Sequence, residues 1–481
     1  MIYGGFAGVV FDAGGHLLFA WPRFFTDDTA MLMLVLLTLV NACLKSAWIN
    51  SGYLRVNIGS FPVNINDMII VAAVLVSLIP KGQYYFETER PHPGLAWAIG
   101  LFLLAVLSGG FGAMHNGATA RQISTTSRNL FEVPVLIYLG YRLMPRPSAS
   151  IFFCYIVVLA GVCASLMIST NFGGQIEDLQ GGKDIISVRI VDFVANYGGL
   201  ASALLLFSLG SGATPLFRPW IAVPLAAICY VGQFATLGRS DWLALTAGIG
   251  AAIVIMPKYR RGSKIVFTAV VLPIMAVVLY FGMLAASSIS GKDVVAKMRD
   301  RVITMLPGEH EGVKAKAWDT RLSGAFAEIT LWSQSPIIGK GFGIQDAQAD
   351  DSASYRHNTW TSTLAESGLV GFSAMALLCV GQIVVGRRMV RDHLDRSSVL
   401  IGGLGVITGV HFIIHGYCTM SFNQVRWAIP LALSYGMVMR CRAMQLAMAT
   451  EYQGYLPTEE AAPNGMLPML DDEGQPMVGM F

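Results

Sequence analysis

Long apolar runs, broken by short polar or glycine-rich stretches, dominate the chain. A helix that crosses about 30 Å of hydrocarbon needs about 20 mostly apolar residues. Runs of that kind fall at roughly 29–48, 66–80, 94–112, 128–143, 151–169, 191–209, 219–236, 241–256, 265–287, 363–385, 398–416 and 424–441, which predicts twelve membrane helices. The second and fourth are short. The seventh and eighth are separated only by Leu237-Gly238-Arg239-Ser240, which reads as a tight re-entry turn at one surface. Between Tyr53 and Ile65 apolar and polar residues alternate around Gly59-Ser60, the period of a strand, and predict a short hairpin.

Two stretches depart from the membrane pattern. Residues 1–28 hold Gly4, Gly5, Gly14 and Gly15, with Trp21, Phe24 and Phe25, and read as an interfacial segment. Residues 448–481 are acidic and rich in Pro, Gly and Met, and read as a disordered extension. The expected organisation is therefore 1–28 interfacial, 29–288 helices one to nine, 289–362 a long loop, 363–447 helices ten to twelve, and 448–481 a tail. No internal repeat is visible.

Composition narrows the class. Of 481 residues 54% are hydrophobic and 13% charged, against about 25% charged in soluble proteins. A chain this long and apolar cannot hide its surface in one water-soluble core. A net charge of +3 implies no polyanion-binding face and no nucleic-acid partner. The basic residues are distributed unevenly. With the N-terminus inside, sixteen Lys and Arg fall in cytoplasmic segments and eight on the opposite side. Lys258–Lys264 and Arg387–Arg396 form the densest clusters. Both termini are thus expected in the cytoplasm and the long loop outside it. The seven cysteines lie in or beside apolar runs, without CxxC or zinc spacing, and the first residues show no cleavable signal. No metal and no cofactor are expected.

The long loop carries its own pattern. Trp318, Leu322, Phe326, Ile329 and Trp332 recur at helical spacing from about Val313 to Ser333, and Pro336 stops the run. Such a helix can rest on the bilayer. Arg321 and Glu328, seven apart, share a face, and the commoner reading of that face is a solvated one. Gly339-Lys-Gly-Phe-Gly343 has no strand before it, so a glycine turn that doubles the loop back outweighs a nucleotide loop.

Three residues stand out chemically. His357 precedes the tenth predicted span, where Asn358, Thr361 or Ser362 can cap the helix. A lone histidine is more often structural, but this one has Arg356 beside it and could act as a general base. Arg239 is an interface anchor or an anion clamp, and its tight turn leaves it little reach for headgroups. Two guanidinium groups, Arg239 and Arg321, suit a diphosphate. His411 and His415, one turn apart in the eleventh span, read as partners in interhelical hydrogen bonds. Asp67, Glu132 and Asp192 keep a transporter or lipid flippase open as an alternative, although Arg128 and Arg189 are spaced to pair with Glu132 and Asp192. A purely structural scaffold is the weakest option.

Arg321 through Pro336, Gly339-Lys-Gly-Phe-Gly343, His357-Asn358 and Leu364-Ala-Glu-Ser-Gly-Leu-Val-Gly371 together resemble the bacterial O-antigen ligase and O-antigen polymerase superfamily. Thr236-Leu-Gly-Arg-Ser-Asp-Trp242 looks like its arginine-containing turn before a membrane helix. The motifs cover about a fifth of the chain. The resemblance implies an all-α, GT-C-like, metal-independent inverting glycosyltransferase of the bacterial inner membrane. Its donor would be a glycan on undecaprenyl diphosphate at the periplasmic leaflet. Arg239 and Arg321 would hold the diphosphate and His357 would serve the acceptor, with Asn358, Arg356 and Glu366 in support. A flippase and a chain-length regulator are the implied protein partners. The acceptor is another glycan, for a repeat-unit polymerase of O-antigen or exopolysaccharide, or lipid A-core, for a ligase. Some relatives glycosylate proteins. The outer loops lack a further basic patch suited to anionic lipid A-core, which favours the polymerase. The polar stretch 170–189 is a candidate for the acceptor side.

Overall fold

The computed structural model describes residues 33–39, 55–58, 61–78, 91–142, 147–178, 195–235, 239–257, 261–266, 272–290, 313–343, 358–392, 395–418 and 425–455, with a few isolated positions besides. Apart from one hairpin, its regular structure is helical. Strands β1 (Arg55–Ile58) and β2 (Phe61–Asn64) pair antiparallel, with Ile58 opposite Phe61, so the turn falls at the Gly59-Ser60 position predicted from the alternation. Helices follow: α1 (Ile65–Leu78), α2 (Pro93–His115), α3 (Ala120–Arg142), α4 (Pro147–Asp178), α5 (Ala195–Gly210), α6 (Pro219–Ala235), α7 (Arg239–Ile255), α8 (Arg261–Val266), α9 (Leu272–Ser290), α10 (Val313–Ser333), α11 (Thr359–Asp392), α12 (Arg396–Cys418) and α13 (Val425–Tyr455).

A helix occupies each predicted span from the second to the twelfth, and residues 33–39 are helical within the first. Among the described residues, α2, α11 and Arg396–Tyr417 of α12 are long and apolar enough to cross a membrane, and several shorter apolar helices accompany them. Large apolar side chains such as Trp97, Leu107, Phe111 and Val254 are exposed, the exterior expected where lipid rather than water surrounds the protein. The chain is a membrane protein.

Some boundaries differ from expectation. Helix α4 runs on through Asp178, so the first part of the polar stretch 170–189 continues a helix. Helix α11 starts at Thr359, inside the predicted loop 289–362, and α13 continues to Tyr455, into the predicted tail. The interfacial segment 1–28 lies outside the described residues.

Helix α12 organises the bundle. It packs against α11 and α13 on one side and against α4, α5 and α7 on the other. Its apolar window is 78% buried, against 28% in α2 at the periphery. Small residues permit close approach: a Cβ at Gly386 of α11 would meet the Gly402 carbonyl of α12, and one at Gly402 would meet that of Gly386.

The two ends of the bundle differ in charge. At one end Arg442 pairs with Asp392 at 2.9 Å, His92 lies near Arg442 and Arg388, and the Arg396 carbonyl accepts from Thr214 N. This is the dense basic cluster of the sequence. The first turns of α7 and α11, the last turns of α12 and α2, and α10 all gather at the other end, which we call the rim.

Candidate functional site

At the rim the helices are tied by a few specific contacts. In α12, His415 Nε2 lies 3.0 Å from Asp241 Oδ1 in the first turn of α7, and both side chains are fully buried. Gln233 of α6 spans the neighbouring gap. Its Nε2 donates to the Asp241 carbonyl at 3.3 Å, and its Oε1 accepts from Gly199 N of α5 at 3.1 Å. The other side of α12 meets α11, where Trp360 Nε1 donates to the Ile413 carbonyl at 3.2 Å. The first turns of α7 and α11 therefore flank the same stretch of α12, 413–415. The expected interhelical role of His415 holds, with Asp241 as partner. His411 stacks on His415, ring centroids 6.2 Å apart.

Asn358 caps α11. Its Oδ1 accepts from Trp360 N at 2.9 Å and Thr361 N at 3.3 Å. A side-chain oxygen there satisfies amides that have no partner within the helix. Thr361 and Ser362, the other expected caps, point their hydroxyls elsewhere: both donate to the carboxylate of Glu328 in α10. This corrects the solvated reading of that face, because Glu328 is only 5% exposed. The apolar stripe takes the outward side instead, with Phe326 60% and Ile329 39% exposed. A helix that turns its carboxylate inward and its phenylalanine outward suits a lipid surface.

The glycine segment after α10 is a fastening between helices. Gly339, Gly341 and Gly343 have positive φ of 73°, 105° and 77°. Helix α11 is broken at Gly368 (φ 64°, ψ −158°), and the segment fills the break. Lys340 N donates to the Ala365 carbonyl at 2.7 Å and Gly341 N to that of Glu366 at 2.9 Å, while Leu369 N donates to the Pro336 carbonyl at 2.9 Å. On its far side Phe342 N donates to the Gly109 carbonyl of α2 at 3.1 Å, and Asn116 Nδ2 donates to the Lys340 carbonyl at 2.9 Å. The Phe342 ring is buried where a Cβ on Gly109 would stand. The glycines thus serve a turn, as expected, and the turn staples α2 to α11.

The predicted site residues fall as follows. Arg239 is the first residue of α7, not part of a four-residue turn. Arg321 lies on α10 two turns before Glu328 and on the same face. Asn358 and Glu366 are in α11's cap and second turn, and Glu366 is buried. His357 and Arg356 lie outside the described residues, with His357 directly before Asn358 in the chain. Since Glu328 meets Thr361 while Ser335 to Ile337 meet Gly339, Leu369 and Val370, α10 runs in the same sense as α11 and carries Arg321 outward past α11's first turn. The backbone therefore brings Arg239, Arg321 and Asn358 to one end of the bundle.

A family model described as O-antigen ligase matches residues 224–376, from α6 through the first half of α11. These residues belong to the O-antigen ligase family. The O-antigen ligase segment contains the rim turns of α7 and α11, the whole of α10, and the glycine staple, while their main partner α12 lies beyond it. No curated protein matches the chain.

Sequence reasoning missed Asp241 and Glu328 as anchors. Asp241 carried a signal, as an acidic residue beside two apolar spans. The transporter alternative loses its support in the described residues: Arg128 holds both Glu132, at 3.3 Å, and Asp67. Asp192 and Arg189 lie outside them.

Proposed function

We propose that the protein is a GT-C-like glycosyltransferase of twelve membrane helices, which moves a glycan from undecaprenyl diphosphate to a sugar hydroxyl at the periplasmic face of the bacterial inner membrane. The observation that carries this reading is the pairing of the first turns of α7 and α11 on one stretch of α12. Helix N-termini present amides and partial positive charge, so two of them at one rim favour an anionic group. Arg239 at the head of α7 runs against that helix dipole, an arrangement an anion relieves.

In this mechanism Arg239 and Arg321 bind the diphosphate through paired charge-assisted hydrogen bonds. They stabilise the negative charge that collects on it as its bond to the anomeric carbon breaks. His357 takes the proton from the acceptor hydroxyl. The acceptor oxygen bonds to the anomeric carbon from the side opposite the diphosphate, which inverts that carbon, and undecaprenyl diphosphate leaves with the electron pair. Asn358 fixes the backbone that follows the histidine, and Arg356 and Glu366 support the site. The two arginines supply the charge otherwise drawn from a divalent cation, so EDTA leaves the rate unchanged. The basic cluster at the opposite end favours that end, with both termini, on the cytoplasmic side.

The favoured acceptor is a second repeat unit, for O-antigen or exopolysaccharide, because the outer loops hold no further basic patch for lipid A-core. Such a polymerase would work beside a lipid flippase and a chain-length regulator. The ligase reading is supported by the description of the family model. The test is transfer by purified protein from a defined polyprenyl-diphosphate glycan to repeat-unit or lipid A-core acceptors, followed by mass spectrometry. One acceptor is extended, and His357→Ala extends neither. Undiminished transfer by that variant removes the histidine from the mechanism.

A further inference from the structure

We propose that Glu328 is a positioning residue, which sets the spacing between the arginine-bearing face of α10 and the turn of α11 that follows His357. The inference rests on the reading of Arg321 and His357 given above.

Its basis is a buried carboxylate that joins the two helices by both oxygens. One takes the hydroxyl of Thr361 and the other that of Ser362. A carboxylate removed from water is costly unless fully hydrogen-bonded, and a leucine would pack α10 against α11 without that cost. What two consecutive hydroxyls add is direction, because they fix both the rotation of α10 and its sliding along α11. Thr361 is itself held from the other side, through its N–H on Asn358. The cap next to His357 and the carboxylate of α10 thus act on one residue.

The lever is in the helix geometry. Arg321 lies two turns from Glu328, roughly 10.5 Å along the axis. The far end of α10 is fastened by the glycine staple at 339–342. With Glu328 removed, α10 keeps that fastening and can pivot about it. The displacement is then greatest toward the N-terminal end, where Arg321 lies. A misplacement of about 1 Å can cost about 100-fold in rate.

The experiment uses the full-length protein in detergent and has two readouts. Hydrogen exchange over α11's first turn reports the joint directly. It should speed up in Glu328→Ala and equally in the double variant Thr361→Val, Ser362→Ala, which breaks the same joint from the other helix. Glycan transfer reports the consequence. Glu328→Ala should lose at least about tenfold, whereas Glu328→Gln, whose amide can accept one hydroxyl and donate to the other, should keep most of the rate. Combined with Arg321→Ala, Glu328→Ala should cost nothing further, because it acts through that arginine. A multiplicative loss in the combination points to general destabilisation and overturns the proposal, as does unchanged exchange in both joint variants or a wild-type rate in Glu328→Ala. Wild-type transfer by Arg321→Ala alone would instead strike the functional reading on which the inference stands.

Discussion

His415 and Asp241 lie 3.0 Å apart in a fully buried contact that joins the last turns of α12 to the first turn of α7. Neither side chain has access to water, so each depends on protein partners for its polar groups. The head of α7, where Arg239 sits, is placed by this pair.

Breaking it should therefore destabilise the protein. Asp241→Ala or His415→Ala each leaves a buried polar group short of a partner, worth about 1–3 kcal/mol. Thermal unfolding in detergent should show a clear fall in Tm for each, and the double variant should cost less than the two singles combined. Additive losses would mean that the two residues do not interact.

The glycine staple makes a sharper prediction. Gly341 has φ 105°, and a Cβ there would overlap the backbone of Ala113. Gly368 has φ 64°, and a Cβ would overlap Ile337. Alanine in the left-handed region costs about 1–2 kcal/mol before any overlap, so Gly341→Ala and Gly368→Ala should both unfold at much lower temperature. Gly100→Ala in α2 has open space around it and should gain about 0.5–1 kcal/mol.

Stability should also depend on pH through His92, which caps α2 by accepting from Gly94 N at 3.1 Å. Burial, with Arg442 and Arg388 nearby, lowers its pKa below the ordinary 6.5. The unfolded chain then binds the proton first. The contribution of His92 is full above about pH 6.5 and is lost as pH falls through the lower folded value. Asn at this position keeps the cap without titrating, so His92→Asn should flatten that part of the Tm–pH curve.

Arg239 separates a phosphate clamp from a surface anchor. A lysine keeps the charge but loses the planar fork. Arg239→Lys should weaken donor binding nearly as much as Arg239→Ala, measured by titration of a polyprenyl-diphosphate glycan. Wild-type affinity in the lysine variant would make the arginine an anchor only.

Much of this architecture is legible along the chain, and the exceptions share a cause. The stripe Trp318, Leu322, Phe326, Ile329, Trp332 with Pro336 behind it delimits α10, because period and breaker are local properties. Which face turns inward is not local. It depends on Thr361 and Ser362, more than thirty residues away. His415 reads as an interhelical partner, but Asp241 lies 174 residues earlier. The glycines 339–343 announce a turn, whereas their seat on Gly109 and Gly112 belongs to a helix more than 200 residues away. Arg239 was assigned to a turn because Gly238 precedes it. The helix begins one residue later than that glycine, and Asp241 in the first turn favours such a start.

The fastening of residues 339–343 leaves residues 344–357 suspended between two fixed posts, Gly343 and the capped Asn358. Whatever sequence fills that interval, its take-off and landing are dictated by the bundle and not by its own content. Variation there can reshape what the rim accepts without loosening the helices that perform the chemistry, so exchanging this stretch between relatives is a direct route to altered glycan choice.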